Sequence, residues 1–319
     1  MLFLSRHLIT GGCGFIGSHL AQALIARGDQ VVVLDDLSTG RIENLAPGAT
    51  LIRGDVTDAG TVRRAMEGVD GCFHLAAIAS VERCRQDWMG SHAVNLGGTI
   101  RVLDAAREAA VPVVYASSAA VYGEQAALPI AEHALPRPLS SYGADKLGSE
   151  LHARAGGAMH GLRSCGLRFF NVFGPRQDPG SPYSGVISIF AAAVLEGRPL
   201  TIHGDGRQTR DFIHVSDVVA ALIAAAAAAS TEAPVVNVCT GRPTSILDLV
   251  AEIAAIAGRE ARVSHGPARA GEIRHSYGDL TAMRATLGTG EPLGLREGLA
   301  TVLDWIKAGR PGLSPADGA

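Results

Sequence analysis

From the start of the chain to about Phe170, short apolar, β-branched runs alternate with segments of helical spacing. The runs at 8–10, 31–35, 51–53, 72–75, 113–116 and 164–169 read as strands. Between the first two, Ile16, Leu20, Ala23 and Leu24 share one helix face. Strands alternating with helices predict a parallel sheet covered on both faces. The expected class is α/β, a doubly wound dinucleotide-binding sheet.

Beyond Asn171 the pattern changes. Residues 174–182 are rich in Pro and Gly and read as a loop. A helix is expected at 186–196, a strand at 200–202, a turn at 204–206 and an Ala-rich helix at 220–229. Ser245-Ile246-Leu247-Asp248 resembles a capping box that opens a helix running to about Ala257. The organisation expected is a dinucleotide-binding domain over 1–170, completed by about 212–240. A smaller α/β substrate domain is expected over 171–211 and 241–310, with a flexible tail at 311–319 and the site in the cleft between.

The 319 residues are 47% hydrophobic and 18% charged, which suits a well-buried globular core. Charge, Gly or His interrupts every long apolar stretch, so no membrane span is expected. The opening Met1-Leu2-Phe3-Leu4 is too short for a signal-peptide core, and a cytoplasmic location is expected. Cys13, Cys72, Cys84, Cys165 and Cys239 are scattered without ligand spacing, which predicts reduced thiols and no metal site. A net charge of −3 leaves no basic footprint for nucleic acid.

Candidate chemistry begins at Thr10-Gly11-Gly12-Cys13-Gly14-Phe15-Ile16-Gly17, between the first strand and the first helix. Glycines at 11, 14 and 17 let backbone approach a pyrophosphate, and the helix start offers free N–H groups. A tight turn alone would also use such glycines. Asp35, however, ends the second strand where a ribose-binding acid is expected. A carboxylate there accepts from a ribose 2′-hydroxyl and repels a 2′-phosphate, so NAD is favoured over NADP. Asp55 and Val56, just past the third strand, are expected at the adenine.

Tyr142 and Lys146 stand at i and i+4 on one helix face. An ammonium beside a phenol favours the phenolate, as does a positive nicotinamide ring. Tyr142 is therefore expected to act as a base near neutral pH, with its pKa lowered by Lys146. Ser117 and Ser118 end the fifth strand, within reach of the same substrate oxygen. A bare Tyr-x-x-x-Lys is common by chance; with the glycine motif and the Ser pair, chance explains it poorly.

Together these residues resemble the extended short-chain dehydrogenase/reductases of the NAD-dependent epimerase/dehydratase family, and within them the UDP-hexose 4-epimerases. Leu34-Asp35-Asp36-Leu37-Ser38-Thr39-Gly40, His74-Leu75-Ala76-Ala77, Asn95, Ser117 to Gly123, Leu167 to Gly174 and Arg210 to Val215 carry the likeness along nearly the whole chain. The resemblance implies a cofactor site of Gly11, Gly14, Phe15, Ile16, Gly17, Asp35, Asp36, Asp55, Val56, Leu75, Ala76, Ala77, Asn95, Ser117, Tyr142, Lys146 and Phe169. It implies Ser118, Tyr142 and Lys146 as catalytic residues. Substrate contacts are implied for Ser80, Ser118, Tyr142, Asn171, Arg210, Arg269, Glu272 and Ser276, with Asn171, Arg210 and Arg269 on a diphosphate.

The activity implied is reversible inversion at sugar carbon 4 through a 4-keto intermediate and bound NAD. Related 4,6-dehydratases carry an Asp-Glu pair after the active-site hydroxyl; here Ala119 and Ala120 follow Ser118 and transfer no proton. Ser276, aligned with a position beside the sugar, leaves room for a 2-acetamido group. UDP-GlcNAc/UDP-GalNAc is therefore the expected pair, with restriction to UDP-Glc/UDP-Gal as the alternative. A one-residue alignment slip would put Tyr277 there instead. A non-catalytic NAD(H) sensor on the same fold is a remote alternative. A homodimer is implied, built from the helices after Arg83 and after Tyr142.

Overall fold

The computed structural model describes residues 5–177, 185–268 and 273–309. Seven strands form the main sheet: β1 (Arg6–Thr10), β2 (Gln30–Asp35), β3 (Thr50–Arg53), β4 (Gly71–His74), β5 (Val113–Ser118), β6 (Ser164–Phe169) and, from much later in the chain, β10 (Val235–Val238). Their order is β10-β6-β5-β4-β1-β2-β3, and every pairing is parallel. The sheet is a Rossmann-type doubly wound one. The direction of winding reverses between β1 and β4, so a crevice opens at their carboxyl ends.

Helices α1 (Phe15–Ala26) and α8 (Val215–Ala228) cover one face. There Leu20, Leu24, Val218 and Leu222 pack on Ile9, Val33, Leu167 and Val236. The other face carries α2 (Ala59–Met66), α3 (Val81–Gln86), α4 (Trp88–His92), α5 (Thr99–Ala109) and α6 (Ser141–His160). Val62, Met66, Val102 and Ala153 join Leu8, Val32 and Val113 in that second core. A π-helical turn, Ala93–Gly98, connects α4 to α5.

The remaining elements build the second part. β7 (Asn171–Phe173), β9 (Thr209–His214), β11 (Pro243–Ser245) and β13 (His275–Ser276) make a small mixed sheet. β8 (Leu200–His203) pairs with β12 (Val263–Gly266). Around them lie α7 (Val186–Glu196), α9 (Ile246–Ala257) and α11 (Leu295–Lys307). Ile187, Phe190, Leu249, Leu303 and Trp305 form their common core. By contrast α10 (Thr281–Leu287), expected in the substrate domain, packs through Met283 and Leu287 on α8 and β10 of the main sheet.

Several expected boundaries move: β1, β2, β3 and β4 begin one or two residues earlier, at Arg6, Gln30, Thr50 and Gly71, and β8 runs on to His203. β4 stops at His74, because Leu75 gives its N–H to Thr10 and the chain turns there. β5 continues through Ser118, paired with Phe169 of β6. The Ala-rich helix starts earlier, at Val215, where the His214 side chain accepts the Ser216 N–H. Ser245 caps α9 through the Asp248 N–H, and their side chains are also bonded at 2.6 Å. Most of the expected loop at 174–182, the tail from 310, and both Arg269 and Glu272 lie outside the described residues. Among the described residues no helix is long and apolar enough to cross a membrane.

Candidate active site

The glycine turn sits at the reversal point of the sheet. Gly11 has φ of +72°, and a Cβ there would lie 2.8 Å from the Ala76 nitrogen. A Cβ on Gly17 would run into the Gly11 carbonyl and the Gly12 backbone. Any side chain at these two positions would force the turn off α1 or off the Leu75–Ala76 strand end. Helix α1 starts at Phe15 with no side-chain cap, which leaves its first amides to a ligand. The cradle fits a dinucleotide pyrophosphate.

Asp35 is buried beneath this turn, where its two oxygens accept the Cys13 and Leu37 N–H groups at 2.9 Å. Burial pushes its carboxyl above the ordinary carboxylate range, and those two N–H bonds pull it back. The exposed Asp36 accepts from the Ser38 N–H and hydroxyl, and Asp55 from the Thr57 N–H at 2.8 Å. Val56 is buried beside them. Across the crevice, Thr10 Oγ1 lies 2.7 Å from His74 Nδ1 and accepts the N–H groups of Leu75 and Ala76 at 3.2 Å. Burial drives His74 down to about 3, so the ring is neutral and locks the β1 and β4 ends together.

Asn95 lies in the π-helical turn, fully buried. It accepts the Ile78 N–H at 2.8 Å and donates to the Ile78 carbonyl at 3.2 Å. Its amide thus shapes the loop from Ala76 to Ser80. Ser80 caps α3 by accepting the Arg83 N–H. A π turn carries one residue more per turn than its flanking helices, and here the extra residue aims Asn95 inward.

Tyr142 and Lys146 come from the first two turns of α6, which Ser140 caps through the Gly143 N–H. Ser118, at the end of β5, accepts the Ala120 N–H at 3.2 Å, and its hydroxyl lies close enough to Tyr142 to pull the phenol's pKa down. Lys146 is 2% exposed, lies 5.9 Å from the Tyr142 ring centroid, and donates to the Ala116 carbonyl at 2.8 Å. Burial pushes its ammonium down to about 8, with the Asp145 charge pulling the other way.

The expected acidic phenol is corrected here. Although Tyr142 as a residue is only partly buried, burial around its hydroxyl pushes it up to about 12. The Ser118 hydroxyl opposes that rise. The ammonium faces the ring and the Ala116 carbonyl, so alone it does not create a base at neutral pH.

Ser117 is also placed differently from the expectation. Neighbours on a strand face opposite sides of a sheet. Ser118 faces the crevice; Ser117 is buried and donates to Glu150 Oε1 at 2.5 Å. Glu150 pairs with Arg168 through two bonds of 2.9 and 2.7 Å. Arg168 also donates to Tyr122 Oη at 2.8 Å, and Tyr122 donates to Asn237 at 2.6 Å. This buried network under β5 is not evident from the sequence. Its one legible trace is Glu150, four residues past Lys146 and eight past Tyr142 on the same helical stripe.

On the substrate side, Phe169 ends β6 beside Ser118 and Val238, and Asn171 opens β7 with an exposed side chain. Arg210 lies in β9 between Thr244 on one side and Ser276 on the other. Tyr277 follows the strand, and its carbonyl accepts the Ile130 N–H.

Comparison with known proteins gives the same outline. The profile of the NAD dependent epimerase/dehydratase family matches residues 7–239. A UDP-glucose 4-epimerase of Mycolicibacterium smegmatis is 38% identical over 310 residues, 95% of this chain and 98% of its own length. The structure of a Thermotoga maritima UDP-glucose 4-epimerase with UDP-glucose superposes with a TM-score of 0.91 at 33% identity, covering 95% of this chain and 99% of that one. A UDP-N-acetylglucosamine 4-epimerase from Methanobrevibacter ruminantium, in complex with UDP-N-acetylmuramic acid, gives 0.91 at 34% identity, covering 96% and 99%. The chain is an enzyme of the NAD-dependent epimerase/dehydratase family, and NAD is its cofactor.

Proposed function

We propose that this enzyme catalyses reversible epimerisation at carbon 4 of a UDP-hexose, with UDP-GlcNAc and UDP-GalNAc as its preferred pair. The observation that carries the reading is Ser118 at the end of β5, beside Tyr142 and buried Lys146 of α6 and followed by two alanines that transfer no proton. Ser118 holds the sugar O4 and Tyr142 takes its proton as the C4 hydride leaves. Bound NAD supplies the reversible hydride acceptor and a positive ring beside the phenol, the second cation that Tyr142 needs. Lys146 grips the nicotinamide ribose.

Ala119 and Ala120 leave the 4-keto sugar no route to elimination, so its exit is reduction, and reduction on the opposite face inverts C4. The diphosphate, held by Asn171, Arg210 and Arg269, retains the ketone while the hexose turns over. Ser276 beside Arg210 offers the small side chain that an acetamido group requires. A second reading, restriction to UDP-Glc and UDP-Gal, is favoured by the names of the Mycolicibacterium and Thermotoga relatives.

The test is incubation of the purified enzyme with UDP-GlcNAc and UDP-Glc separately, with products identified by NMR. Turnover of the plain pair alone would refute the preference. Absence of any turnover would refute the epimerase.

The same reading includes a homodimer in the cytoplasm. Trp88 and Met89 of α4, Ile100 of α5, and Leu151 and Met159 of α6 are exposed, with Met89 at 77%, and a second copy of this face would cover them. All five cysteines are free and buried, which suits a reducing compartment. Sedimentation equilibrium at micromolar concentration measures the state; a monomer removes the dimer.

A further inference from the structure

A buried carboxylate next to the lysine has no part in the chemistry described so far. Asp145 is 4% exposed, and its Oδ1 lies 2.7 Å from Nδ1 of His92, which reaches in from the end of α4. Its other oxygen, Oδ2, is buried without a hydrogen-bond partner. A carboxylate so placed is costly unless a cation compensates it. Its ion-pair partner His92 is open to solvent on its other side, and the buried cation beside it is Lys146, the next residue along α6 and likewise almost fully enclosed.

The surroundings leave few rivals for this role. The Tyr142 ring on the same helix lies 5.9 Å from the Lys146 ammonium, and Cys84 from α3 and His74 from β4 are near enough to be coupled to its charge. Cys84 is a buried thiol held in its neutral form, and His74 is a neutral ring engaged with Thr10 and Thr99. Facing Asp145 are His92 and Cys84, while the Ser149 hydroxyl donates to the Asp145 main-chain carbonyl. Glu150, the other acid on this stretch of α6, is fully occupied by Arg168 and Ser117.

We propose that Asp145, oriented by its hydrogen bond to His92, is a positioning residue that keeps Lys146 an ammonium inside the closed site. The role in turnover rests on the epimerase reading, in which Lys146 must be charged to serve Tyr142. The charge itself does not depend on that reading.

The chain has two lysines, Lys146 and Lys307, so lysine-selective labelling gives two signals that one substitution assigns. The NAD-loaded enzyme with 13C-labelled lysine is titrated by NMR, as wild type, D145N and D145E, and kcat is followed against pH. In D145N the Lys146 midpoint is expected to fall by about one pH unit, the low end of the effect of a close opposite charge. The alkaline limb of kcat should move down with it, and D145E should return both. D145S, also neutral, carries the test if D145N does not fold. A Lys146 midpoint unmoved in the neutral variant, with kcat lowered equally at every pH, would overturn the proposal. Because the titration needs no turnover, an enzyme inactive on UDP-hexoses would remove the epimerase reading and still leave the Asp145 question answered.

Discussion

Ser276 lies directly opposite Arg210 in the parallel pairing of β13 with β9. Partners in register share a face of the sheet, whereas the next residue along, Tyr277, alternates away from it. Ser276 is therefore the side chain beside the residue expected on the diphosphate. Ser276→Tyr should cut kcat/KM for UDP-GlcNAc by about 10-fold or more, the effect of overpacking by one to three kcal/mol. UDP-Glc should be affected far less. Equal losses on both substrates would show that Ser276 does not select the sugar.

Lys146 destabilises the fold it serves. Its pKa falls from an unfolded value of about 10.4 to about 8 because burial disfavours the ammonium. Between those two values the unfolded chain binds more protons, so stability rises with pH across that window. Lys146→Met relieves a buried ammonium but strands the buried Asp145 carboxylate and loses the bond to Ala116, so its stability at pH 7 should change by less than about 3 kcal/mol in either direction. It should also remove that pH-dependent rise and abolish turnover. Urea melts at pH 7 and pH 10 measure this; a pH-dependent rise that survives in the Met variant would mean that another group titrates in this window.

Glu150 and Arg168 hold each other's charge in the interior. Removing one partner, by Glu150→Met or Arg168→Met, should cost about 3–5 kcal/mol, because the other is left buried alone. The double variant Glu150→Met/Arg168→Met should recover a large part of that loss. The urea midpoints of the four proteins form a double-mutant cycle. Additive losses would mean that the two residues act independently.

Gly11 tests the cofactor cradle. Gly11→Ala meets both a left-handed backbone and the Ala76 nitrogen. The variant is expected to purify without bound dinucleotide, read from the absorbance ratio at 260 and 280 nm. Full retention of NAD would place the pyrophosphate elsewhere.

Six of the seven main-sheet strands were legible in the sequence as short, largely apolar runs, whereas β10, four residues from much later in the chain, was not. β6, α7 and α9 end where the pattern says they should. The small sheet was not legible either, since Asn171–Phe173, Pro243–Ser245 and His275–Ser276 are too short to show any alternation. Within the site, spacing identified Tyr142, Lys146 and Ser118 as a group, but not that Ser117 faces the other side. The Glu150–Arg168 and His92–Asp145 pairs join residues 18 and 53 positions apart. No local periodicity links such residues; only the packing of α6 against β6 and α4 does.

The position of β10 at the end of the main sheet has a consequence for synthesis. When β6 leaves the ribosome, its outer edge has no neighbour, and the strand that covers it arrives only at Val235–Val238. Throughout that interval the nascent chain presents an open row of amides and carbonyls, the kind of edge that recruits stray strands. A cell that makes this protein must shield the edge until the late strand docks, and overproduction without chaperone support should yield inclusion bodies.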